Sequence, residues 1–292
     1  MDGRICYMEK IRVVVIGSGH NAERFIEENK TNQYIEIVGL VPDNGFNNNK
    51  AEQYVSLLDG CDIGFALGYS RIIPPEICNQ HFIINLHAGI LPKWRGFSAN
   101  AWAIMNSAQE IGYSLHRVSN TLDGGLLYYV KHIPIDRDQT MSDVHGIMID
   151  SIIKDCPEIL YRVAKKIIAG KEQEQTDIAY CTKFNVGMGL LKDFSREAEY
   201  YVNLYRCMAE PLGSGVSFVF RGEKYSIGKI EHGRKYGVSD YICSEGKIVN
   251  IQSGTLWVKV KDNVIVLSEI KKDGGFIELE KTFINGQLLV AD

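Results

Sequence analysis

Two polar side chains of different chemistry come at the end of a predicted buried strand. The run Phe82–Ile84 is apolar, and Asn85 and His87 follow it. Because residues i and i+2 of a strand share a face, the Asn85 amide and the His87 imidazole are predicted to point the same way. An amide donor beside a protonatable imidazole could stabilise an oxyanion. Asn and His also end strands because they hydrogen-bond loop backbone, so the pair alone leaves a structural role open.

Asp123 is the second feature that favours chemistry. It stands in a short polar turn after a predicted strand and is followed by Gly124 and Gly125. Glycine lets the backbone turn sharply and come close to a ligand. On its own, Asp-Gly-Gly usually marks only a turn. A site is therefore predicted only if Asp123 lies close to Asn85 and His87.

Taken together, the two segments resemble the formyltransferase family that uses 10-formyltetrahydrofolate. The catalytic trio of that family is an Asn and a His in an N-x-H arrangement, with an Asp downstream in an L-D-x-G turn. In this sequence the matching residues are Asn85, His87 and Asp123. The resemblance implies that Asn85 and His87 stabilise the oxyanion formed during formyl transfer. It also implies that Asp123 orients the imidazole, stabilises its charged form and helps to move the amine proton.

Three further stretches carry the resemblance. The loop LPKWRG at 91–96 and the run WAIMN at 102–106 resemble the methionyl-tRNA and sugar-nucleotide members. The stretch GYSLHRVSNTLDGG at 112–125 resembles the family at large, including the glycinamide ribonucleotide enzymes. The resemblance is close from about Ile11 to Asp136 and loose in the rest of the chain.

The loop GYSRIIP at 68–74 resembles the family loop that lines the pterin pocket. A pterin ring is flat and has an amide-like hydrogen-bonding edge, so backbone donors and Ile packing suit it. The alternative is a plain β-to-α turn whose apolar residues lie under a helix. The resemblance implies 10-formyltetrahydrofolate as co-substrate and requires no metal. The residues expected to bind the folate are Leu67, Gly68, Tyr69, Ile73, Val118 and Asp123.

Two other loops are candidates for holding phosphate groups of the second substrate. Gly17, Gly19 and Asn21 follow the first predicted strand, where a helix N-terminus can bind an anion, although tight turn geometry explains the same glycines. Lys93 and Arg95 could meet a diphosphate, and the alternative for both is a solvated loop charge. The other histidines are expected to be structural or surface residues: His20, His81, His116, His132, His145 and His232.

The order of predicted elements is typical of an α/β fold with a mostly parallel sheet. Strands are predicted at 11–16, 34–41, 61–67 and 82–84, and the first, rich in β-branched residues, is expected to be buried on both faces. Helices are predicted at 22–30, 49–59, 98–106 and 140–170, the last with a break near Pro157. The strands at 111–118 and 126–135 flank a short turn, which predicts an antiparallel pair. Ligands of such sheets bind beyond the carboxyl ends of the strands, where Asn85 and His87 fall.

The second half of the chain changes in composition. The stretch KEQEQT at 171–176 is polar and linker-like, and a helix is predicted at 195–209. Short strands between glycine turns then predict a small all-β, barrel-like module, with strands at 216–220, 224–230, 247–252, 255–260 and 263–270. This module resembles the C-terminal domain of the methionyl-tRNA formyltransferases. We therefore predict a Rossmann-like catalytic domain at 1–185 and a helix plus β-rich domain at 186–292.

The composition is typical of a soluble globular protein. Hydrophobic residues make up 45% and charged residues 23% of the 292 residues, enough for one large or two ordinary domains. The seven cysteines include no C-x-x-C pair, which fits reduced thiols rather than disulfides or a zinc site. No apolar run has the roughly 20 residues of a membrane helix, and no signal-peptide core is present. We expect a soluble, cytoplasmic protein without a membrane partner.

The amine that accepts the formyl group is predicted from charge. Methionyl-tRNA is a polyanion, so an enzyme that binds it should have a basic surface. The net charge is −4, and from Leu191 to Asp292 fourteen Lys and Arg face fourteen Asp and Glu. The segment before Cys61 also lacks a basic insertion of the kind found in the tRNA enzymes. A nucleotide-linked amino-deoxysugar is therefore the leading acceptor, and initiator methionyl-tRNA is the second. The extra domain disfavours glycinamide ribonucleotide.

The resemblance to sugar enzymes also implies a role in O-antigen biosynthesis and a homodimer formed through the C-terminal strands. Two other functions stay open. One is a non-enzymatic sensor of folate or nucleotide with a degenerate site. The other is hydrolysis of the formyl-folate to formate, with water in place of the amine.

Overall fold

The computed structural model describes residues 9–48 and 50–289, so the outer ends of both predicted domains lie outside the described residues. The described chain forms two compact units. The first unit consists of the described residues up to Asn100, Glu110–Pro134 and Gly146–Lys183. The second unit consists of Ala101–Gln109, Ile135–His145 and the described residues from Phe184. The division is therefore less simple than a single cut in the sequence, since two inner segments group with the second unit.

The first unit is built around a six-stranded sheet. In chain order its strands and helices are β1 (Ile11–Ile16), α1 (His20–Glu28), β2 (Ile35–Val41), α2 (Ala51–Asp59), β3 (Ile63–Leu67), α3 (Pro75–Gln80), β4 (Ile83–His87), β5 (Trp94–Gly96), α4 (Ala99–Met105), β6 (Glu110–Arg117), β7 (Leu127–Pro134), α5 (Met141–Ala164) and β8 (Ala179–Cys181). Helices α4 and α5 also contribute residues to the second unit. The sheet order is β2-β1-β3-β4-β6-β7, and β5 pairs with β8 separately.

The six-stranded sheet has a parallel half and an antiparallel half. Strands β1 to β4 pair in parallel, whereas β6 and β7 continue the sheet antiparallel from β4. Strand β3 is buried along its whole length, as expected where both faces of a parallel sheet are covered. The predicted α/β fold with a mostly parallel sheet is confirmed. Strand β4 extends further than predicted, because it includes both Asn85 and His87.

Helix α5 differs from its predicted form at two points. It is continuous through Pro157 and ends at Ala164, earlier than predicted. Proline has no N–H to donate to the carbonyl of Ile153, one turn earlier in the helix. The buried side chain of Asn29 donates to that carbonyl instead, at 3.3 Å, so Pro157 leaves no unpaired group there. Just beyond the helix, Lys166 adopts a left-handed φ of 59°, which an α-helix cannot continue.

The polar stretch at 171–176 is not a linker. Lys171 and Leu127 exchange two backbone hydrogen bonds, of 2.8 and 2.9 Å, so the stretch lies along the edge of the β6–β7 hairpin. Gln173 is only 5% exposed, whereas Glu172 and Glu174 on either side are exposed. The prediction was wrong because one buried glutamine among polar residues gives no periodic signal.

The second unit contains two sheets and two helices of its own. Its strands and helices are β9 (Leu190–Leu191), α6 (Ala198–Met208), β10 (Val216–Phe220), β11 (Glu223–Ile227), β12 (Lys229–His232), β13 (Ile248–Gln252), β14 (Thr255–Lys259), β15 (Val264–Ser268), β16 (Lys271–Lys272), β17 (Gly275–Phe276) and α7 (Leu279–Thr282). One sheet has the order β17-β16-β11-β10-β9 and the other β12-β15-β14-β13. Side chains from both sheets and from α6 share one apolar core, which includes Leu204, Phe218 and Leu256.

The predicted β-rich C-terminal module is confirmed, with one difference. The run predicted as a single strand at 224–230 is two strands, β11 and β12, which belong to different sheets. Gly228 separates them, and its backbone passes so close to Glu269 that a side chain at Gly228 would collide with it.

Three general properties hold over the described ranges, residues 9–48 and 50–289. No helix there is long and apolar enough to cross a membrane. The six described cysteines are free thiols, and the seventh, Cys6, lies outside the described residues. Within the same ranges, no group of three His, Cys, Asp or Glu side chains is placed to hold a metal ion.

Candidate active site

The carboxyl end of β4 places Asn85 and His87 on one face of the sheet. Asn85 pairs with His116 of the antiparallel strand β6, and His87 pairs with Ser114. His87 and His116 are buried, whereas Asn85 is half-buried. Strand β6 therefore brings a second imidazole next to the predicted pair.

The turn after β6 carries Asp123 back to this end of the sheet. Asp123 has a left-handed φ of 48°, a conformation that Asp tolerates better than most residues. Gly125 passes so close to the carbonyl of Arg117 that a side chain there would collide with it. The backbone N–H of Gly96 donates to Oδ2 of Asp123 at 2.8 Å, which fixes the carboxylate.

The three predicted catalytic side chains come together, and His116 joins them. Nδ1 of His87 lies 3.4 Å from Oδ2 of Asp123. Nε2 of His116 lies 3.3 Å from Oδ1 of the same carboxylate, and it accepts a hydrogen bond of 3.0 Å from the Asn85 amide. Two imidazoles thus flank one carboxylate, and the amide is linked to it through the second imidazole.

His116, predicted to be a structural or surface residue, is not at the surface and lies within this cluster. Its buried side chain contacts both Asn85 and Asp123. The signal that could have found it is the predicted antiparallel continuation of the sheet. Residues directly opposite each other on such strands are neighbours, so a histidine on β6 is within reach of the residues that end β4.

Backbone carbonyls fix which ring nitrogen of each imidazole carries hydrogen. Nε2 of His87 lies 2.6 Å from the carbonyl oxygen of Trp94, and Nδ1 of His116 lies 2.9 Å from that of Arg117. Since a carbonyl oxygen only accepts, both of these nitrogens must donate. The remaining nitrogen of each ring faces Asp123 and carries no hydrogen while the ring is neutral, so it is the atom that can take up a proton.

Burial and hydrogen bonding set the charges of the site. Burial lowers the pKa of His87 below its usual value, although Asp123 and the Trp94 carbonyl act in the opposite direction. Burial alone would raise the pKa of Asp123, but the contact with His116, the nearby His87 and the Gly96 N–H together lower it. At neutral pH His87 is therefore neutral and Asp123 ionised.

The predicted role of His87 as a protonated oxyanion donor does not agree with this geometry. Its Nε2–H is engaged by the Trp94 carbonyl, and its Nδ1 faces Asp123. While the ring is neutral, Nδ1 is an acceptor without a hydrogen and lies 3.4 Å from the carboxylate. The half-buried Asn85 amide is the N–H donor of the trio that substrate can reach.

The glycines of the predicted anion loop have backbone explanations. Gly17 lies so close to the carbonyl of Leu67 that a side chain there would collide with it. Gly19 has a left-handed φ of 82° at the position that caps α1, and no side chain caps that helix. Asn21 is a half-buried residue in the first turn of α1. Among the described residues, no hydrogen bond or ion pair joins this loop to Asp123, so phosphate binding here stays a prediction.

Four of the residues predicted to bind folate lie at or just after the end of β3, and the other two, Val118 and Asp123, follow β6. Ile73 is buried in an apolar cluster, and Tyr69 and Val118 pack against it. Leu67 ends β3 and is buried, and Gly68 after it turns the backbone with a left-handed φ of 72°. Apolar side chains beside turning backbone suit a flat ring with one polar edge, so these residues fit a pterin.

The predicted phosphate-binding pair divides into one exposed and one buried side chain. Lys93 is exposed, and its ammonium lies 5.0 Å from the centre of the Trp94 ring. Arg95 is 1% exposed and donates to Oε1 of Gln173 at 2.9 Å. Neither the solvated charge nor the diphosphate ligand predicted for Arg95 agrees with this burial. The side chain of Arg95 lies instead against Gln173 and the turn at Gly124.

Two family descriptions match this chain. One, described as formyl transferase, matches residues 44–151, and the other, formyl transferase C-terminal domain, matches residues 191–288. The methionyl-tRNA formyltransferase of Dictyoglomus turgidum is 30% identical over 233 residues, which are 76% of this chain and 70% of that protein. The methionyl-tRNA formyltransferase of Pelagibacter ubique is 28% identical over 255 residues, which are 85% of this chain and 77% of that protein.

Solved structures share the fold. The N-formyltransferase of Helicobacter canadensis, in complex with folinic acid and dTDP-3-aminofucose, has a TM-score of 0.64 at 14% identity, over 89% of this chain and 100% of that one. HypX of Aquifex aeolicus, in complex with tetrahydrofolic acid, has a TM-score of 0.62 at 14% identity. That match covers 91% of this chain but only 45% of HypX. By its sequence relatives, this chain belongs to the formyltransferase family, whose members are folate-dependent N-formyltransferases.

Proposed function

We propose that this chain transfers the formyl group of 10-formyltetrahydrofolate to the primary amine of a nucleotide-linked amino-deoxysugar. The observation that carries the choice of acceptor is the charge of the C-terminal residues. Fourteen Lys and Arg face fourteen Asp and Glu from Leu191 to Asp292. Phosphate contacts dominate the affinity of tRNA-binding surfaces, so such a surface needs an excess of available cations.

Half of these fourteen cations already have partners within the second unit. Arg206 is buried, and its three nitrogens all donate to oxygens of the same unit. Six lysines form ion pairs with N–O distances of 3.2 Å or less: Lys229, Lys235, Lys259, Lys261, Lys272 and Lys281. A nucleotide diphosphate needs only a few cations, whereas a polyanion needs many. The balance of charge therefore favours the small acceptor.

Methionyl-tRNA is the second candidate acceptor, and the sequence relatives favour it. The two relatives at 28% and 30% identity are both methionyl-tRNA formyltransferases. The structure solved with an amino-sugar nucleotide is only 14% identical. Relatives at these levels of sequence identity differ in the acceptor that they are named for, so the acceptor has to be decided by assay.

The site supplies the chemistry that formyl transfer needs. The amine nitrogen bonds to the formyl carbon, and the bond from that carbon to the folate nitrogen breaks. The Asn85 amide donates to the formyl oxygen as that oxygen becomes negative. Loss of one such donor typically lowers the rate about a hundredfold or more. The attacking nitrogen becomes positively charged and therefore acidic, so ionised Asp123 can take its proton. The proton then passes to the leaving folate nitrogen, which leaves a formamide and tetrahydrofolate.

A paired assay tests the acceptor. The full chain is incubated with 10-formyltetrahydrofolate and either a dTDP-linked amino-deoxysugar or initiator methionyl-tRNA, and the formylated product is identified by mass spectrometry. We expect formylated sugar nucleotide and no formylated methionyl-tRNA. The reverse result would establish the tRNA function.

Two further outcomes separate the remaining alternatives. Formate released without any formylated acceptor would indicate hydrolysis of the folate. Folate binding with no reaction at all, in which Asn85→Ala changes nothing but binding, would indicate a sensor. The amide of Asn79, exposed on α3, provides the matched control Asn79→Ala.

A further inference from the structure

We propose that the buried pair Arg95 and Gln173 positions the catalytic turn, so that both residues set where the Asp123 carboxylate lies during formyl transfer. The inference rests on the formyl transfer proposed above, but it does not depend on which amine is the acceptor. It concerns two side chains that do not contact the reacting atoms and act through Asp123.

Gln173 holds the backbone of the turn on both sides of Gly124. Its Nε2 donates to the carbonyl of Asp123 at 2.8 Å and to that of Gly125 at 2.7 Å. The side chain is almost wholly buried, so water does not compete for these carbonyls. A single amide thus fixes the peptide group after Asp123 and the one after Gly125, and with them the course of the backbone through the turn.

Arg95 in turn fixes the orientation of the Gln173 amide. Its Nη2 donates to Oε1 of Gln173 at 2.9 Å, which leaves Nε2 as the atom that faces the turn. Gly124 provides the space, because the nearest Nη atom of Arg95 is 3.2 Å from the place where a Cβ of Gly124 would be. A side chain at Gly124 would collide with Thr121 and would also press on the guanidinium.

Strand β5 connects this pair to the carboxylate itself. The residue after Arg95, Gly96, donates its N–H to Oδ2 of Asp123, and the residue before it, Trp94, accepts from His87. Three consecutive residues of one strand therefore hold His87, the Asp123 carboxylate and, through Gln173, the Asp123 backbone. A shift of β5 would move all of these groups together.

An unpaired nitrogen of the Arg95 side chain also favours a role beyond packing. Its Nε is buried and has no hydrogen-bond partner among the described residues. Leaving a buried polar group unpaired is unfavourable, and such groups in folded proteins call for an explanation. The explanation is that Arg95 orients Gln173 towards Asp123, which has a left-handed backbone. An active site can keep such locally unfavourable geometry.

Substitutions at Gln173 separate positioning from packing. Gln173→Glu keeps an acceptor for Arg95 but cannot donate to the two carbonyls, and Gln173→Met keeps the volume but removes both functions. We expect kcat to fall roughly 10- to 100-fold in both variants, since a displacement of about 1 Å at a reacting group has an effect of that size. The fall in kcat should exceed any rise in KM for the folate, because Asp123 is the one predicted folate-binding residue that Gln173 holds directly among the described residues. Arg95→Lys should retain more kcat than Arg95→Met.

A second readout distinguishes positioning from simple loss of structure. If Asp123 moves away from His87, the pKa of His87 loses a contribution that raises it and should fall further in the variants, as measured by NMR titration of the imidazole. Gln80→Glu, which makes the same chemical change on the exposed end of α3, should change neither kcat nor the titration. Folding is checked by circular dichroism and thermal melting.

Three results would overturn the inference. The first is a folded Gln173→Glu or Gln173→Met variant with wild-type kcat, and the second is a loss of kcat with no change in the His87 titration. If none of the variants folds, the wild-type protein decides: rapid solvent exchange of the Gln173 side-chain amide protons, as fast as those of Gln80, would contradict the contacts. If the wild type formylates methionyl-tRNA, the variants are assayed with that acceptor. If the wild type formylates neither the sugar nucleotide nor methionyl-tRNA, the proposed function fails, and the His87 titration still tests the positioning.

Discussion

Two buried arginines, one in each unit, have opposite surroundings. Arg206 on α6 donates to the carbonyls of Gln139 and Asp136 at 2.8 and 3.0 Å, and to Oδ1 of Asn203 at 3.1 Å. Each of its three nitrogens has a partner. Arg95 makes one hydrogen bond, to Gln173, and its Nε has no partner among the described residues. The first arginine satisfies a network completely and the second only in part.

The difference shows what each network is for. Arg206 joins α6 to the segment before α5 within the second unit, and no titrating group is among its hydrogen-bond partners. A fully paired buried network of this kind gives stability and a unique packing. Arg95 has fewer hydrogen bonds, and the one that it makes orients the Gln173 amide beside Asp123. The comparison predicts that changes near Arg95 affect rate, whereas changes at Arg206 affect folding.

The largest expected effect is on rate, at the carboxylate that the Arg95 network supports. Asp123→Asn keeps the size of the side chain and its hydrogen bond from Gly96, but it removes the charge that accepts the amine proton. We expect kcat to fall about a thousandfold, within the usual range for a general base, which is about 4 kcal/mol of barrier. The measurement is single-turnover formylation with saturating folate.

Asp177→Asn is the matched control for that substitution. Asp177 also has a left-handed φ, of 56°, but it is exposed. Its kcat should equal that of the wild type. An Asp123→Asn enzyme that keeps more than about a tenth of the wild-type kcat would remove Asp123 from proton transfer and leave it a structural part.

The next effect in size is on stability, at Arg206. Arg206→Met leaves two backbone carbonyls and the Asn203 amide oxygen without their donors in a buried place. Removing the arginine from this buried hydrogen-bond network should lower the free energy of unfolding by about 3 to 5 kcal/mol. Urea denaturation measures the loss, and kcat per folded molecule should stay at the wild-type value. Arg234→Met, at an exposed arginine, should leave both unchanged, and a large loss of kcat at Arg206 would contradict the comparison.

Local signals were sufficient for much of the fold and part of the site. The β-branched run at 11–16 is the strand β1 without any change of bounds, because such a run suits a buried parallel strand in any context. Asn85 and His87 share a face because a strand alternates, and Asp123 lies in a turn because two glycines follow it. These inferences use only residues close together in sequence.

The missed residues depend on contacts between distant parts of the chain. Arg95 is buried against Gln173, which is distant from it in sequence. Gln173 stands in a run of polar residues, and only the pairing of Lys171 with Leu127 carries it into the site. Pro157 was expected to break α5, and a side chain from another helix, Asn29, removes the cost of its missing hydrogen bond. No sequence period encodes such pairings.

The smallest effect expected is on the pH dependence of stability, and it tests the same comparison. His87 has a lowered pKa in the folded protein, so the unfolded chain binds its proton more readily. Stability should therefore fall as the pH drops below about 6.5, the usual value for histidine, and continue to fall until the folded His87 also takes a proton. The Asp123 contribution is present throughout this window, because the lowered pKa of Asp123 confines its loss to more acidic pH.

Unfolding free energies measured at several pH values between about 5 and 8 give the slope. Burial also lowers the pKa of His145 and His232, so the wild-type slope contains their contributions as well. The part that belongs to the site is the difference between the wild type and His87→Gln, whose slope should be flatter below about pH 6.5. Arg206→Met should keep the wild-type slope at a lower stability, because a guanidinium does not titrate in this window. Equal slopes in the wild type and in His87→Gln would show that burial does not lower the pKa of His87. The contrast between the two arginine networks would then rest on rate alone.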